Sequence, residues 1–473
     1  MTTTKSKILL YNPRSVFFTM PLGLLAIAAN LDPARYEVII IDGRLEDDPL
    51  RMLQPHLQDA LCLGVSVLTG APIRDALHVS RAVKALRPDL PVVWGGWHPS
   101  LFPTECLAER AIDITVQSQG EETFRELVEK FAANENLRSV AGIAFREGNT
   151  IHQNAARPLR DMNDFPPARY ELIPVEKYYA RKNHRQLDYI SSIGCYFRCA
   201  FCADPYVFKR KWNAIAPERM GAELEHLWHR FPFDDLNFQD ETFFTYADRV
   251  AAIAEEFLRR NLKFSWAGTL RADQGVRMSD DLFALCKRSG LRRVMIGVES
   301  GDQQTLNWLK KDITIEQVFE AAERCKRFDL GAIFPFIVGF PQESPQSVEA
   351  SLQAVKRLRA MSPKFETVIF FYQPYPGSPI ADLVRDSGYP MPHSLEEWAA
   401  FDYVESHGPW VPQEKWERVQ RFKFYQRFAW SENGSLLKWP IKQLARWRCG
   451  KDFYSFPIEK RLVEWLKPAA SLS

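Results

Sequence analysis

Short apolar runs alternate with amphipathic stretches over the first 134 residues of the chain. The apolar runs have the length of β-strands, and the stretches between them repeat their apolar residues at helical spacing. Strands that are apolar along their whole length are typical of a parallel sheet covered by helices on both faces. We therefore predict a doubly wound, Rossmann-like α/β domain over residues 1–134. Its strands are predicted at Lys7–Tyr11, Val38–Asp42, Leu61–Ser66, Pro91–Gly95 and Ile112–Val116, and its helices at Leu22–Leu31, Ile73–Leu86 and Glu121–Ala132.

The alternation stops in a linker over residues 135–187, where Val140–Phe145 and Ile151–Gln153 predict a small hairpin. From 188 to 390 the strand and helix patterns alternate six times. This predicts a partial (β/α)₆ barrel of the TIM type, with its chemistry at the carboxyl ends of the strands. The predicted strands are Tyr189–Ile193, Asp235–Phe238, Lys263–Ala267, Arg293–Gly297, Ala332–Gly339 and Thr367–Tyr372.

Residues 391–473 predict a helical C-terminal extension, which opens with a capping box formed by Ser394 and Glu397. Residues 415–467 hold 13 Lys and Arg against 5 Asp and Glu, with tryptophans between them. Basic and aromatic residues together are typical of peripheral contact with a membrane surface, and also of a basic helical cover over a barrel. No RNA-binding module accompanies the charges, so nucleic acid is not an expected partner.

The composition is that of an ordinary globular protein, with 46% hydrophobic and 25% charged residues. A net charge of +2 gives no general case for nucleic-acid binding. No apolar run reaches the roughly 18 residues that a membrane span requires. The sequence opens without a signal peptide, and we expect a cytoplasmic, reducing location with unpaired thiols.

Three cysteines lie close together with the spacing C-x₃-C-x₂-C, at Cys195, Cys199 and Cys202, and Phe201 precedes the last of them. Thiolates are the usual ligands of iron–sulfur clusters. Three ligands on a [4Fe–4S] cluster leave one iron open to a small molecule, which suits electron transfer into a bound ligand. Zinc is the alternative, since His184 would supply a fourth ligand.

The cysteine motif resembles the signature of the radical S-adenosylmethionine (AdoMet) enzymes. The resemblance implies that Cys195, Cys199 and Cys202 bind the cluster and that its open iron chelates AdoMet. One electron from the cluster then cleaves AdoMet to methionine and a 5′-deoxyadenosyl radical. An external one-electron reductant, such as flavodoxin or ferredoxin, is the implied partner.

The strand ends of the predicted barrel carry residues that match the AdoMet-binding positions of this family. Asp240 and Glu241 are expected at the ammonium group, and Arg271 at the carboxylate. Glu299 is expected near the ribose or the methionine end, in a Gly-x-Glu-Ser run. Ile337 and Gly339 are expected behind the adenine. A helix cap or a structural ion pair is the alternative role for each acidic residue.

Placed before such a barrel, the N-terminal domain resembles the cobalamin-binding domain of B12-dependent radical AdoMet enzymes. The resemblance rests on three segments: Pro21–Ala29, the Gly-Gly-Trp-His-Pro run at 95–99, and the Tyr-Pro-Gly-Ser-Pro turn at 375–379. Residues 12–14 are Asn-Pro-Arg, without the axial histidine of methionine-synthase-type domains, so cobalt is expected to lack a histidine there. His98 is the nearby candidate ligand or hydrogen-bonding residue. The expected cobalamin-binding residues are Ser66, Thr69, Gly70, Gly95, Gly96 and His98.

The resemblance implies C-methylation of an unactivated carbon through the deoxyadenosyl radical and methylcobalamin. A ring-forming reaction like that of the anaerobic magnesium-protoporphyrin ester cyclases, and a cobalamin or cluster sensor without turnover, are the alternatives. Tyr206 and Tyr372 are the candidate catalytic residues. The substrate is expected to be a small molecule, with a lipid, a tetrapyrrole and a natural-product intermediate all open.

Overall fold

The computed structural model describes residues 5–401, 407–431 and 439–461, except for the side chain of Tyr206. The chain divides into two compact units. The first consists of Met1–Thr269, Arg288–Leu291 and Pro374–Asp402, and the second of Leu270–Lys287, Arg292–Gln373 and Tyr403–Ser473.

The first unit begins with a sheet of seven strands in the order β2-β1-β3-β4-β5-β6-β7. The first five strands pair in parallel, and β6 and β7 add an antiparallel hairpin at the edge. The strands are β1 (Ser6–Asn12), β2 (Tyr36–Asp42), β3 (Ala60–Ser66), β4 (Val92–Gly95), β5 (Ile114–Val116), β6 (Ile143–Glu147) and β7 (Thr150–Gln153). The helices are α1 (Leu22–Ala29), α2 (Pro49–Leu53), α3 (Pro72–Leu86), α4 (Trp97–Leu101), α5 (Pro103–Cys106) and α6 (Glu121–Ala133).

All five predicted parallel strands are present, because their apolar residues fill two cores, one on each face of the sheet. Leu9 and Tyr11 face one core, and Ile8 and Leu10 face the other. The hairpin is also present, but it continues the sheet beyond the predicted boundary at residue 134.

Five further strands of the first unit follow. Three of them are parallel, with β11 paired to β8 on one side and to β12 on the other, and β9 pairs with β10 in antiparallel fashion. The strands are β8 (Gln186–Tyr189), β9 (Ser192–Ile193), β10 (Asn213–Ala214), β11 (Asp235–Phe238) and β12 (Ser265–Leu270). The helices are α7 (Val175–Lys182), α8 (Asp204–Val207), α9 (Pro217–Arg230) and α10 (Ala247–Arg259). The 3₁₀ turns of this unit are Gln54–His56, Met162–Asp164 and Tyr170–Leu172.

The predicted strand Tyr189–Ile193 is divided in the structure. The parallel strand β8 ends at Tyr189, and β9 pairs instead with β10 in antiparallel fashion. The amide of Ser191 donates to the Asp240 carboxylate at 2.8 Å, which draws the chain away from the line of β8. The strand Asp235–Phe238 is confirmed at its predicted bounds.

The second unit contains three parallel strands, with β14 paired to β13 and β15. They are β13 (Leu291–Ile296), β14 (Gly331–Val338) and β15 (Phe365–Phe371). The helices are α11 (Ala272–Arg277), α12 (Asp280–Arg288), α13 (Gln303–Trp308), α14 (Ile315–Arg327) and α15 (Pro345–Met361).

Helices close the chain in both units, as predicted for residues 391–473. The helices α16 (Pro379–Asp386) and α17 (Leu395–Ala400) belong to the first unit, and α18 (Gln413–Ala429) and α19 (Trp439–Lys451) to the second. Ser394 caps α17 as predicted. The Glu397 carboxylate accepts from the amide of His393, one residue before the position that a capping box uses.

The predicted α/β fold class is confirmed: a parallel-sheet N-terminal domain, a TIM-like region of parallel strands and helices, and helical C-terminal segments. Within residues 5–401, 407–431 and 439–461, no helix has the length and apolar character needed to span a bilayer.

One close approach of two backbones holds α15 in place in the second unit. A Cβ at Gly301 would overlap the carbonyl oxygen of Ala350 in this helix. The Gly301 amide donates to the Ser351 hydroxyl at 2.9 Å. Because only glycine leaves room for this contact, the glycine after the Glu-Ser pair has a packing role.

We expect Gly301→Ala to destabilise the protein by about 1–3 kcal/mol, because α15 must move away from the added methyl group. Thermal and urea unfolding would measure the loss. Gly450→Ala is the matched control, since no atom lies within 4 Å of a Cβ built there, and alanine is favoured in a helix. Equal stabilities of the two variants would contradict the packing role.

Candidate functional site

The cysteine loop of the first unit begins at Gly194, which has a φ of +77°. A Cβ at this position would overlap the carbonyl oxygen of Lys211, so the turn before Cys195 requires glycine. Burial raises the pKa of Cys202 to about 12, with Asp204, Cys199 and Cys195 adding to the rise. The three thiols of the motif are therefore electrostatic neighbours.

Among the residues that the structure describes, no three Cys, His, Asp or Glu side chains are assembled as a finished metal site. The spacing and the shared loop, rather than a coordination geometry, carry the assignment of the three cysteines as cluster ligands. The amide of Asp204 donates to the sulfur of Cys202. Hydrogen bonds of this kind tune the potential of an iron–sulfur cluster, so the loop fits the predicted group.

The structure does not place His184 where it could be the fourth ligand of a zinc ion. His184 precedes β8, whereas the cysteine loop follows this strand and β9. The His184 Nε2 atom lies 3.8 Å from the Asp235 carboxylate, and the ring is largely exposed. His184 is thus a surface residue at the opposite end of the strand.

Asp240 holds the start of the cysteine loop in place. Its buried carboxylate accepts from the Ser191 amide at 2.8 Å and from the hydroxyls of Ser191 and Ser192 at 2.6 Å each. Arg249 donates to the carbonyl of Ser191 at 3.0 Å and attracts the same carboxylate. Asp240 therefore positions the loop, and its predicted contact with AdoMet stays a prediction.

Glu241 and Asp204 form an acidic pair beside the cysteine loop. Glu241 is exposed at the edge of the loop, and the nearby Asp204 carboxyl acts to raise its pKa. Burial raises the pKa of Asp204 to about 7, and neither of its oxygens has a hydrogen-bond partner among the described residues. The Gly194 amide donates to the Glu241 carboxylate, which brings this acid to the first turn of the loop. Two crowded carboxyls next to the thiols suit a cationic ligand such as AdoMet, which carries an ammonium and a sulfonium.

A glycine-lined cavity of about 170 Å³ opens at the carboxyl ends of the parallel strands in the N-terminal sheet. Of the predicted cobalamin-binding residues, Ser66, Gly95 and Gly96 line it. The other lining residues were not named individually from the sequence, although three of them lie in the Pro21–Ala29 segment that carries the resemblance. They include Gly23, Leu24, Ile27, Ser118, Gln119, Gly120, Glu121 and Phe124.

The glycines keep this cavity open. No atom lies within 4 Å of a Cβ built at Gly23, and the nearest atoms lie 3.8 Å from one at Gly95 and 3.5 Å from one at Gly120. Side chains at these positions would fill the space. A recess with mostly apolar walls and a few polar groups suits the planar part of a large cofactor, so the residues fit cobalamin.

The remaining three predicted cobalamin residues lie outside the cavity wall. The ring of His98 is completely buried, and its Nδ1 lies 3.1 Å from the Thr69 hydroxyl. Trp398 of α17 packs on the ring at a centroid distance of 5.8 Å, and the carbonyl of Phe401 approaches Gly70. The hydrogen bond to Thr69 fits the hydrogen-bonding role considered for His98, and its contact with cobalamin stays a prediction.

In the second unit, the predicted AdoMet residues form one hydrogen-bonded group. Arg271 donates to the carbonyl of Lys311 at 2.7 Å and to the Asp273 carboxylate at 3.0 Å. The Lys311 ammonium donates to Glu299 at 2.7 Å, and both side chains are buried. Sequence reasoning missed Lys311, which has no motif of its own. Glu299 and Arg271 are thus joined through one lysine.

Ile337 and Gly339 lie at the end of β14 in the same unit. The amide of Ile337 donates to the carbonyl of Glu299 at 2.8 Å. The indole of Trp410, which no pattern singled out, donates to the carbonyl of Gly339 at 2.7 Å. Tyr372 is buried beside Phe340, with ring centroids 4.9 Å apart.

Phe201 is partly buried in the cysteine loop. Tyr206 lies in α8, and its side chain is outside the described part of the structure. The role predicted for Tyr206 therefore stays a prediction.

The fold and the cysteine loop define a radical AdoMet enzyme, and two family models agree. The model of the B12 binding domain matches residues 13–128, and that of the radical SAM superfamily matches residues 189–355. An uncharacterised methyltransferase of Pyrococcus horikoshii is 30% identical over 364 residues, which cover 76% of this chain and 77% of that protein. The chain belongs to the radical AdoMet enzymes that carry a B12-binding domain.

Two further relatives lie in the same family. An anaerobic magnesium-protoporphyrin IX monomethyl ester cyclase of Synechocystis is 27% identical over 349 residues, which cover 72% of this chain and 68% of that protein. The structure of the radical AdoMet methyltransferase TsrM of Kitasatospora setae, with cobalamin and a [4Fe–4S] cluster bound, aligns with a TM-score of 0.69. It is 18% identical and covers 81% of this chain and 75% of that one, and it confirms the fold.

These comparisons confirm an enzyme whose cofactors are a [4Fe–4S] cluster, AdoMet and cobalamin. The methyltransferase relative supports methyl transfer as the activity.

Burial lowers the pKa of His98 to about 3, so we expect the ring to reduce stability in acid. The unfolded chain takes up a proton near pH 6.5 that the folded ring refuses, and stability is lost as the pH falls below that value. Relative to His98→Gln, the wild type should lose about 2 kcal/mol between pH 8 and pH 5. Urea unfolding at both pH values measures this difference, and a constant difference would show that the ring is not desolvated.

Proposed function

We propose that this protein transfers a methyl group through cobalamin to an unactivated sp³ carbon of a small molecule, after radical cleavage of AdoMet. One observation carries the proposal. The wall of the glycine-lined cavity includes Ile193 and Phe208, which flank the cysteine loop on both sides. A methyl carrier in the cavity would therefore lie beside the group that generates the radical.

The residues of the first unit divide between the two cofactors. Cys195, Cys199 and Cys202 would hold the cluster, with Phe201 packed within their loop. Glu241 would accept from the ammonium of AdoMet, since a carboxylate accepts charge-assisted hydrogen bonds from an ammonium. Ser66, Gly95 and Gly96 would contact the corrinoid where they line the cavity.

The cluster supplies one electron to AdoMet, and cobalamin supplies the methyl group. The chain's own residues position these groups and exclude water. The buried Asp240 and Arg249 fix the backbone that enters the loop. Apolar side chains such as Leu24 and Phe124 line much of the cavity and limit the entry of water.

In the second unit, the AdoMet contacts expected of Glu299 and Arg271 stay predictions. Glu299 has a φ of +70° and joins β14 through its backbone at Phe336. Such a conformation costs about 1–2 kcal/mol in a non-glycine residue and is typical of functional positions. The support of the adenine expected of Ile337 and Gly339, on the same strand, stays a prediction as well.

We further propose a substrate with a large apolar or planar body. Aromatic rings gather where β14 and β15 end, and Trp410 from the C-terminal region joins them. Tyr372 is the ring with a hydroxyl in this group and is the candidate donor to a radical. The cyclase relative is named for a tetrapyrrole substrate, a molecule of this class.

Ring closure without methyl transfer is the second candidate, because the same cyclase is similar over most of this chain. Both reactions would need an external one-electron donor and would form 5′-deoxyadenosine. They differ in whether a second AdoMet is converted to S-adenosylhomocysteine.

The two cofactor sites should fail independently. Gly95→Leu is expected to abolish stoichiometric binding of hydroxocobalamin, because leucine occupies the cavity, and to leave the iron content unchanged. Cys202→Ala should lose the cluster and retain cobalamin. Anaerobic titration followed by visible spectroscopy and iron analysis measures both.

Gly450→Leu is the control for the bulk of the new side chain, since the position is exposed at the surface of α19. Joint loss of both cofactors in either variant would refute separate sites on the first unit.

For methyl transfer, we expect S-adenosylhomocysteine and 5′-deoxyadenosine to accumulate together when the reconstituted enzyme is reduced with AdoMet and tetrapyrrole or lipid extracts. AdoMet labelled in its methyl group should give a labelled product, and mass spectrometry would detect it. Deoxyadenosine with no S-adenosylhomocysteine would favour ring closure. No deoxyadenosine at all would favour a sensor.

A further inference from the structure

A run of three basic residues, Lys209, Arg210 and Lys211, covers the cysteine loop. The Arg210 guanidinium donates to the carbonyl of Tyr196, inside the loop, at 3.2 and 3.1 Å. The carbonyl of Lys211 packs against Gly194, the residue before Cys195. The three side chains are exposed. The run is thus attached by its backbone and by Arg210 to the segment that would hold the cluster.

The charges of this run are not neutralised by neighbouring acids. Neither Lys209 nor Lys211 forms an ion pair within the part of the chain that the structure describes. Both line a second cavity, whose walls include Gln117 and Ser118 but no Asp or Glu. Arg198, on the cysteine loop itself, is exposed as well. We call Arg198, Lys209, Arg210 and Lys211 the loop patch.

The backbone of the patch holds an unfavourable conformation. Lys209 and Arg210 have φ values of +51° and +55°. Two consecutive left-handed residues without glycine cost about 2–4 kcal/mol together. This turn presents both lysines outward while Arg210 folds back onto Tyr196. Side chains whose only role was packing would not require this left-handed backbone conformation.

We propose that the loop patch is the docking surface for the electron donor, a small acidic protein that carries a reduced flavin or an iron–sulfur group. The inference rests on the proposed function, because a radical AdoMet enzyme needs one electron per cleavage. One electron leaves the donor and enters the oxidised cluster, and no atom or proton is exchanged. Positive charge attracts such a donor, and the short separation between patch and loop brings its redox group near the thiolates.

A charge reversal tests the patch. Lys209→Glu with Lys211→Glu changes the charge and retains Arg210, whose hydrogen bonds hold the loop. The matched control is Lys263→Glu with Lys310→Glu, which changes the net charge equally. Both control lysines are exposed, and Lys310 shares the left-handed backbone of Lys209, with a φ of +49°.

Two reductants are compared on the reconstituted enzyme, dithionite and a reduced flavodoxin. The visible absorbance of the cluster reports its reduction, and calorimetric titration reports binding of flavodoxin. We expect the patch variant to bind flavodoxin and to be reduced by it at least about tenfold more weakly at low salt, because electrostatic steering raises association rates by that factor or more. Dithionite should reduce the cluster equally in wild type, patch variant and control. Salt should slow reduction of the cluster by flavodoxin only in wild type and control.

Equal behaviour of patch variant and control toward flavodoxin would overturn the docking surface, as would reduction by flavodoxin that is insensitive to salt. If the patch variant did not hold a cluster, Lys209→Gln with Lys211→Gln would provide the same comparison with half the change in charge. A wild type that held a cluster but formed no deoxyadenosine with dithionite would instead overturn the proposed function.

Discussion

The buried carboxylate of Asp240 is the interaction on which the first unit's site depends. It accepts three hydrogen bonds from Ser191 and Ser192, and Arg249 lies close enough to offset its charge. An isolated charge in this place would be costly, and the three hydrogen bonds offset the loss of its hydration. They end β8 and direct the chain into the turn at Gly194. Without that turn the three cysteines would not share one short loop.

This loop also explains why two cofactors can act together. Ile193 precedes the cysteines and Phe208 follows them, and both belong to the wall of the glycine-lined cavity. The same short segment therefore shapes the predicted cluster site and the predicted cobalamin site. A change at Ile193 or Phe208 would reach the cavity as well as the loop, whereas loss of a thiol would affect the cluster alone and changes confined to the glycines the cavity alone. The chemistry of a radical and a methyl carrier requires such proximity, since a carbon radical must meet its methyl donor before any other hydrogen or water.

Local patterns predicted the strands and the cysteine loop well, because both depend on residues close together in the sequence. Asp235–Phe238 is a short strand with every residue but Asn237 buried, and its bounds are those predicted. The division of Tyr189–Ile193 was not predictable in this way, since it depends on Asp240, about 50 residues later. Lys311 and Trp410 were missed for the same reason: a lone lysine or tryptophan gains a role only from the strand end that the fold brings to it.

His98 shows the limit of motif reasoning most clearly. Its place after two glycines suggests a ligand, yet Trp398, 300 residues later, covers its ring. The hydrogen bond between His98 and Thr69 joins the turns after β3 and β4, and Phe401 packs by its carbonyl on Gly70. The helix α17 therefore supports the back of the two turns whose front residues, Ser66 and Gly95, line the cavity. Thr69, Gly70 and His98 therefore have a packing role in shaping these turns, whatever contact they make with the cofactor.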